Sequence, residues 1–500
     1  MQPDCSPRSV VRRVERSVRA AFMLSLHSLV LVCCILSRVI GSTGTPTFRQ
    51  QRQPQPPRAL QEDPGDYLAD GSWAADDNGI ASPPPPAGDD GEAEEWDEEG
   101  EGEDGPLLDL LADKAGGGPK RKQALRPVPG NGVYLGAILE GEGQMQPFNQ
   151  RTGIHHAAFM KFIKFPQVLT DTEGEMKALA SFMRECREND AMAMLTLETP
   201  DGLNSYTAKE VRKFAQLINR WADVPVFLRW NHEMNGSWNV WGQQPDLYKA
   251  KFEEFAKMMR KHSKQVAMVW TPNQEWGFPW KDGQHYNASI DPYDPYLQFL
   301  PDKSLVDWIG ISYFHFGHEV RGKNLIPGNN IVPLPHSFFP PIEDFYRFAQ
   351  RLNDDSKNPQ LPILIAETSA VWNVDGPVNR NYMEEQANGG GGRVLQQQDG
   401  GGGWHCPHQG ATEWDIKTAW LHEVYDLDSD GKNLKKDFPL IRAIFWFNVA
   451  KYEPVAKVNA DWRLDMQPAV TDVYRKLASD DYFLKHAVAA FETQQTMQSP

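Results

Sequence analysis

Cysteine is scarce, five in 500 residues, and Cys5, Cys33 and Cys34 all fall within the first 40 positions. Beyond that region only Cys186 and Cys406 remain, bridged or as two free thiols, so a disulfide-stapled scaffold is excluded. The fold must be held by its core. A basic excess is lacking as well: 51 Lys and Arg stand against 67 Asp and Glu, for a formal net charge of −16. Residues 62–113 hold 19 of those acids and no Lys or Arg, and 67 less 19 leaves 48 acidic against 51 basic residues elsewhere. The acidity belongs to one segment, and nothing outside it has the positive field that nucleic acid requires, so no nucleic-acid partner is expected. Long apolar runs are missing after residue 40, so no other segment is apolar enough to span a bilayer. No Gly-x-Gly-x-x-Gly turn follows the first predicted strand, which removes the main sign of a doubly wound dinucleotide-binding sheet.

One apolar run is present, Ala20 to Leu36, and it follows Arg8, Arg12, Arg13, Arg16 and Arg19. A basic flank before an apolar core is a secretory pattern. The run is 17 residues long, at the short edge of a spanning helix, and only the small residues Gly41 to Gly44 follow it. Residues 1–40 therefore read as a signal peptide or a signal anchor, and membrane anchoring through this segment stays open. Either way the remaining chain is expected to be secreted, or held lumenal or extracellular.

Residues 41–127 are rich in Pro, Gly and acids, with Pro83 to Pro86 and the Asp89 to Asp104 block. Such a segment cannot bury enough apolar surface to offset its ordering entropy, so it reads as a disordered linker. Lys120-Arg121-Lys122 at its end is a solvated basic patch or a processing site. Residues 489–500 read as a tail.

Residues 128–488 are a different kind of sequence. Short β-branched and aromatic runs alternate with amphipathic helical patterns, as in a parallel sheet with crossover helices. The predicted strands are 133–139, 157–165, 191–197, 224–230, 266–271, 306–314, 362–366 and 441–448. Between them, Thr207 and Glu210 form a capping-box pattern ahead of the apolar face Val211, Phe214, Ala215, Ile218 and Trp221. Tyr248, Phe252, Phe255 and Met259 mark a second helix, and Ile342, Phe345, Phe348, Ala349 and Leu352 a third. Eight strands with helices over this length predict an α/β fold of (β/α)8 type, a TIM barrel forming one monomeric catalytic domain.

In such a barrel the chemistry sits where strands end. The fourth predicted strand runs out into Arg229-Trp230-Asn231-His232-Glu233-Met234-Asn235-Gly236-Ser237-Trp238, and the seventh into Ala366-Glu367-Thr368-Ser369. A lone carboxylate ending an apolar run is costly unless it is paired or used. Two of them, on strands four and seven, suit a pair flanking a glycosidic bond, whereas two unrelated solvated or salt-bridged glutamates are the bland alternative.

The run Arg229-x-x-His232-Glu233-Met234-Asn235-Gly236-x-Trp238, with Gly132-Val133-Tyr134-x-Gly136-Ala137 and the Glu367 strand, resembles glycoside hydrolase family 26. The likeness extends from Gly132 to about Lys476. It implies a retaining (β/α)8 enzyme of a family that includes β-mannanases, mixed-linkage β-glucanases and β-1,3-xylanases. By this likeness Glu233 is the acid/base and Glu367 the nucleophile. His232 and Trp238 would lie near the cleaved bond, Arg229 would hold the nucleophile, and Trp446 would floor the cleavage subsite. The sequence departs from the family after the sixth strand, where Gly310-Ile311-Ser312-Tyr313-Phe314-His315 replaces an Asp-x-Tyr pattern. Tyr313 is then the tyrosine expected to touch the nucleophile. The Gly-rich insertion 388–403 follows the seventh predicted strand and is expected on the same face, as a disordered loop.

Trp230, Trp238, Trp241, Trp270, Trp276, Trp280, Trp372 and Trp446 all fall at or past strand ends, where flat faces could stack on sugar rings, though some must be core. Metal and cofactor are not expected. Trp404-His405-Cys406-Pro407-His408 lacks a second ligand pair, and the calcium-like Asp426-Leu427-Asp428-Ser429-Asp430-Gly431 finds the short Asp437 where a bidentate Glu belongs. Asn287-Ala288-Ser289 is a glycosylation acceptor if the domain is lumenal, whereas Asn235-Gly236-Ser237 is expected to be too enclosed. The resemblance implies a retaining endo-β-glycanase whose partner is a plant- or algal-type β-polysaccharide, first β-1,4-mannan, then β-1,3-1,4-glucan or β-1,3-xylan. A catalytically silent carbohydrate-binding ectodomain is the rival reading.

Overall fold

Eight apolar runs become eight parallel strands: β1 (Val133–Leu139), β2 (Ala158–Lys164), β3 (Met192–Glu198), β4 (Val226–Trp230), β5 (Val266–Trp270), β6 (Trp308–Ser312), β7 (Ile363–Thr368) and β8 (Ile441–Asn448). This is a computed structural model, and it describes residues 131–487 apart from 282, 317–329, 334, 355–359, 377–410, 430 and 454–456. Each strand pairs in parallel with the next, and β8 pairs with both β7 and β1, which closes the ring. The (β/α)8 barrel expected from the sequence is the fold observed. β1 and β8 keep their predicted bounds, and the others shift by no more than two residues at either end.

Period-two alternation divides the strand residues between two apolar layers. Along β4, Val226, Leu228 and Trp230 join the outer layer beneath the helices, while Phe227 joins the inner cluster with Met194, Val269, Trp308, Leu364 and Phe445. Arg229 is therefore aimed at the barrel axis.

Among the described residues, seven α-helices of eight residues or more cover the outside, α1 (Met145–Thr152), α2 (Glu175–Glu188), α3 (Ala208–Ile218), α4 (Pro245–His262), α5 (Phe339–Asn353), α6 (Glu413–Tyr425) and α7 (Pro468–Ala478), with one further helical turn at Leu434–Asp437. The capping box at the start of α3 is formed, with Thr207 accepting from the Glu210 N–H and Glu210 accepting from the Thr207 N–H. Val211, Phe214, Ala215 and Ile218 are buried on its inner face, as are Tyr248, Phe252, Phe255 and Met259 on α4. Between β5 and β6 stand two short 3₁₀ turns, Leu297–Phe299 and Lys303–Leu305, and no α-helix among the described residues. Prolines at 272, 279, 292, 295 and 301 deny that stretch the N–H groups a helix needs. Beyond β8, the chain forms an antiparallel sheet from Ala450–Glu453, Val458–Asp461 and Trp372–Asn373.

β7 departs from regular register in a way that matters for the site. Ile311 pairs with Ile365 but Ser312 pairs with Glu367, so β7 carries one extra residue at Ala366. A bulge of this kind re-aims the side chain that follows it. Leu364 and Ala366 both face the inner cluster, and without the bulge Glu367 would face outward.

The described residues contain no helix long and apolar enough to cross a membrane. The expected signal segment, acidic linker, 489–500 tail, 388–403 insertion and 404–408 motif lie outside the described residues. Cys406 lies there too, while Cys186 is a buried free thiol on α2 directed at the Met192 carbonyl.

Candidate active site

The segment after β4 is held in a conformation that few side chains adopt. Asn231 and Glu233 have φ of +43° and +53°, in the left-handed region that costs a residue other than glycine about 1–3 kcal/mol. Two amides hold it there. Asn231 accepts from the Thr199 N–H at the end of β3, and Asn235 accepts from the Asn273 N–H and donates to the Asn273 carbonyl beyond β5. Gly236 makes room for Trp238, because a Cβ at 236 would stand 2.4 Å from the indole ring. The indole then donates to Glu233 Oε2 at 3.1 Å. Three letters of the His-Glu-Met-Asn-Gly-x-Trp motif thus have a mechanical reason: Met234 is buried core, Asn235 a clamp, Gly236 clearance.

Arg229 joins the two carboxylates' surroundings. Its guanidinium is fully buried and donates to Glu367 Oε1 at 2.5 Å, Thr271 Oγ1 at 2.7 Å and Ser312 Oγ at 2.7 Å. A buried cation needs such pairing, since breaking one partner away costs several kcal/mol. Glu367 thereby has a positive charge in direct contact. Among the described residues Glu233 has none, and it takes hydrogen bonds from the Asn273 and Ser312 side chains and from Trp238. Burial first, and the Glu367 charge second, push the Glu233 pKa up, against an opposing pull from Arg229. One carboxyl is thus inclined to keep a proton while the other lies against a guanidinium, which is the division of labour that proton donation and nucleophilic attack require.

Both glutamates open onto one cleft of about 780 Å³, whose walls include His232, Trp238, Trp280, Phe314, Phe447 and Trp462. His232 lies between Phe162 and Trp241, with ring centroids 5.6 and 5.8 Å away, and burial and Arg229 push its pKa down. The imidazole is held neutral. Trp238 and Trp280 meet edge to face at 5.2 Å.

The structure brings together Arg229, His232, Glu233, Trp238 and Glu367 but not the other two residues expected there. Trp446 lies on the outward face of β8, packed near Tyr425, with its indole donating to the Trp462 carbonyl. Its neighbour Phe447 faces inward and lines the cleft, and Trp462 supplies the aromatic wall expected of Trp446. Tyr313 also faces outward, against Phe338 and Trp420, and its hydroxyl donates to the Ser337 carbonyl. The cleft faces on either side of it are Ser312 and Phe314. Both corrections are matters of parity, one residue along a period-two strand. Trp230, Trp241 and Trp270 are likewise outer core.

Sequence reasoning overlooked Glu198, the last residue of β3, which lines the cleft with its Oε1 4.0 Å from His232 Nδ1. Burial and Glu367 push its pKa up to about 7. The signal was present, a lone carboxylate ending an apolar run. Elsewhere, Asn235 is fully buried with both ends of its amide engaged, so its Asn-x-Ser pattern is enclosed as expected. Asp437 accepts the Asn433 N–H.

A closed parallel barrel with two carboxylates at one mouth is an arrangement that the (β/α)8 class of glycoside hydrolases uses. Within that class, residues 179–315 match the model of glycosyl hydrolase family 26, the family whose likeness the sequence carries. The match takes in Arg229 to Trp238 and ends short of Glu367. A β-1,3-xylanase from Alcaligenes sp. is 22% identical over 276 residues, 54% of this chain, which spans less than half, 46%, of that protein's length. Among solved structures, the GH26 domain of an endo-β-mannanase/endo-β-glucanase from Prevotella bryantii is 12% identical, covering 71% of this chain and 91% of that one at a TM-score of 0.38. The GH26-CBM35 β-(1,4)-mannanase of Podospora anserina is 12% identical, covering 73% and 70% at 0.38. Neither structural likeness is close enough to indicate a substrate.

Proposed function

We propose that this chain is a retaining endo-β-glycanase acting on a neutral β-linked polysaccharide, with β-1,4-mannan as the first substrate. The observation that carries the reading is the pair of unequal carboxyls in one cleft, Glu233 buried and without a cation in contact, Glu367 bonded to Arg229 at 2.5 Å. In the first step Glu367 attacks the anomeric carbon. The glycosidic C–O bond breaks, and the departing oxygen takes the Glu233 proton. In the second, water gives a proton to Glu233, its oxygen bonds to the same carbon, and Glu367 leaves.

Cleft charge supports a neutral substrate. Among the described residues Glu140 and Glu198 line it beside two ion pairs, Glu367 with Arg229 and Glu453 with Lys451, so no unpaired cation faces a substrate. A uronate or sulfated chain would meet repulsion there. The aromatic walls of Trp238, Trp280 and Trp462 suit the apolar faces of pyranose rings. β-1,3-Xylan is the second reading, favoured by the Alcaligenes relative. Release of reducing ends from mannan, glucomannan, mixed-linkage glucan and β-1,3-xylan tests the proposal. Activity on mannan above the others supports it, and activity on none of the four overturns it in favour of a carbohydrate-binding role.

A further inference from the structure

Glu198 is a carboxylate of the cleft that the two-step displacement does not use. It ends β3, pairs in register with Lys164 at the end of β2, and lines the cleft with His232 and Glu233. Its neighbour across the cleft wall is His232, whose environment is peculiar. The Nδ1 atom is sealed from solvent and has no hydrogen-bond partner. A buried polar nitrogen without a partner costs about 1–3 kcal/mol. The nearest carboxylate oxygen is Glu198 Oε1, at 4.0 Å, about one ångström beyond hydrogen-bonding distance.

The two groups differ in freedom. His232 is fixed by the Trp241 indole, which donates to its backbone carbonyl at 2.7 Å, and by the Phe162 and Trp241 rings. The Glu198 side chain is about a quarter exposed and can rotate. A small turn of Glu198 therefore completes the pair, whereas a turn of His232 would disturb the segment bearing Glu233. Because the imidazole is neutral, only one nitrogen carries hydrogen, and the partner of Nδ1 decides which.

We infer that Glu198 is the positioning residue of His232: it accepts the Nδ1–H and so fixes the tautomer whose bare Nε2 accepts a hydrogen bond from a hydroxyl of the bound glycan. This rests on the reading of the cleft as a glycan site, and it adds a rule of recognition. The sugar beside Glu233 must present a hydroxyl that donates to His232, and the carboxylate that enforces this lies behind the imidazole rather than against the sugar.

The test separates the two layers. In the full chain labelled with ¹⁵N-histidine, the His232 ring should carry its proton on Nδ1. Glu198→Ala should lose that preference and Glu198→Gln should keep it, since the amide oxygen still accepts. With oligosaccharide substrate, Glu198→Ala should raise KM by about tenfold, the scale of one hydrogen bond, and Glu198→Gln by no more than about twofold. A wild-type ring protonated on Nε2, or a Glu198→Ala ring unchanged from wild type, overturns the inference. The resonance measurement needs no turnover, and Glu198→Met, which keeps the side-chain bulk and removes the acceptor, replaces Glu198→Ala if that variant folds poorly: a ring unchanged from wild type in it likewise overturns the inference. Absence of cleavage would instead count against the proposed function.

Discussion

Glu233 and Glu367 are chemically the same side chain, and their surroundings separate them. Glu367 touches Arg229, and Glu233 is buried among Trp238, Asn273 and Ser312. If Glu233 supplies the proton, Glu233→Ala should lower kcat/KM on oligosaccharides by about 10²–10⁴, while an aryl glycoside with a good leaving group loses much less. Glu367→Ala should harm both substrates alike, because every substrate needs the covalent partner. Equal losses for Glu233→Ala, with Glu367→Ala sparing the aryl substrate, would reverse the roles. The pH profile carries a second signature. Glu233 must be protonated to act as acid, so kcat/KM falls as pH rises through its elevated pKa. The Asn273 side chain lowers that pKa, so Asn273→Ala should move the basic limb to higher pH. A limb that stays put or moves down would contradict the assignment.

At the scale of elements, strand ends were the legible feature. An apolar run terminating in a carboxylate marks β4 and β7 without any structure, because a charge has no other business at the end of a buried strand. The same signal marks β3, but ending the predicted strand at Leu197 hides Glu198. Facing was much less legible. Tyr313 and Trp446 each sit one residue out of phase, and parity at the rim depends on register that only pairing across the barrel sets. The bulge at Ala366 is invisible in sequence, yet it turns Glu367 inward. Trp462 lies on the excursion beyond β8, far from any predicted strand end, so no strand-end search would find it. The loop after β4 offers an element-scale test. Gly236→Ala places a Cβ 2.4 Å from the Trp238 ring. The indole must shift and release Glu233, so turnover should drop by about tenfold or more, the scale of one lost hydrogen bond. Unchanged turnover would mean that the Trp238 contact is dispensable.

For the whole molecule, charge and apolar content divide the chain by position. Nineteen of the 67 acids lie in residues 62–113, after the one long apolar run, and the barrel that follows needs no disulfide framework. We propose that the barrel is lumenal or extracellular, released or anchored by the Ala20 to Leu36 run. Protease added to sealed microsomes should leave the barrel intact until detergent is present, and digestion without detergent would contradict this placement.

The central claim is that Glu367 attacks the anomeric carbon itself while Glu233 handles the proton. Stereochemistry reads this directly, because two displacements at one carbon restore its configuration and one displacement inverts it. Proton magnetic resonance of the earliest product from a β-linked manno-oligosaccharide, taken before mutarotation, should show the β anomer. First release of the α anomer would show that water, not Glu367, makes the bond.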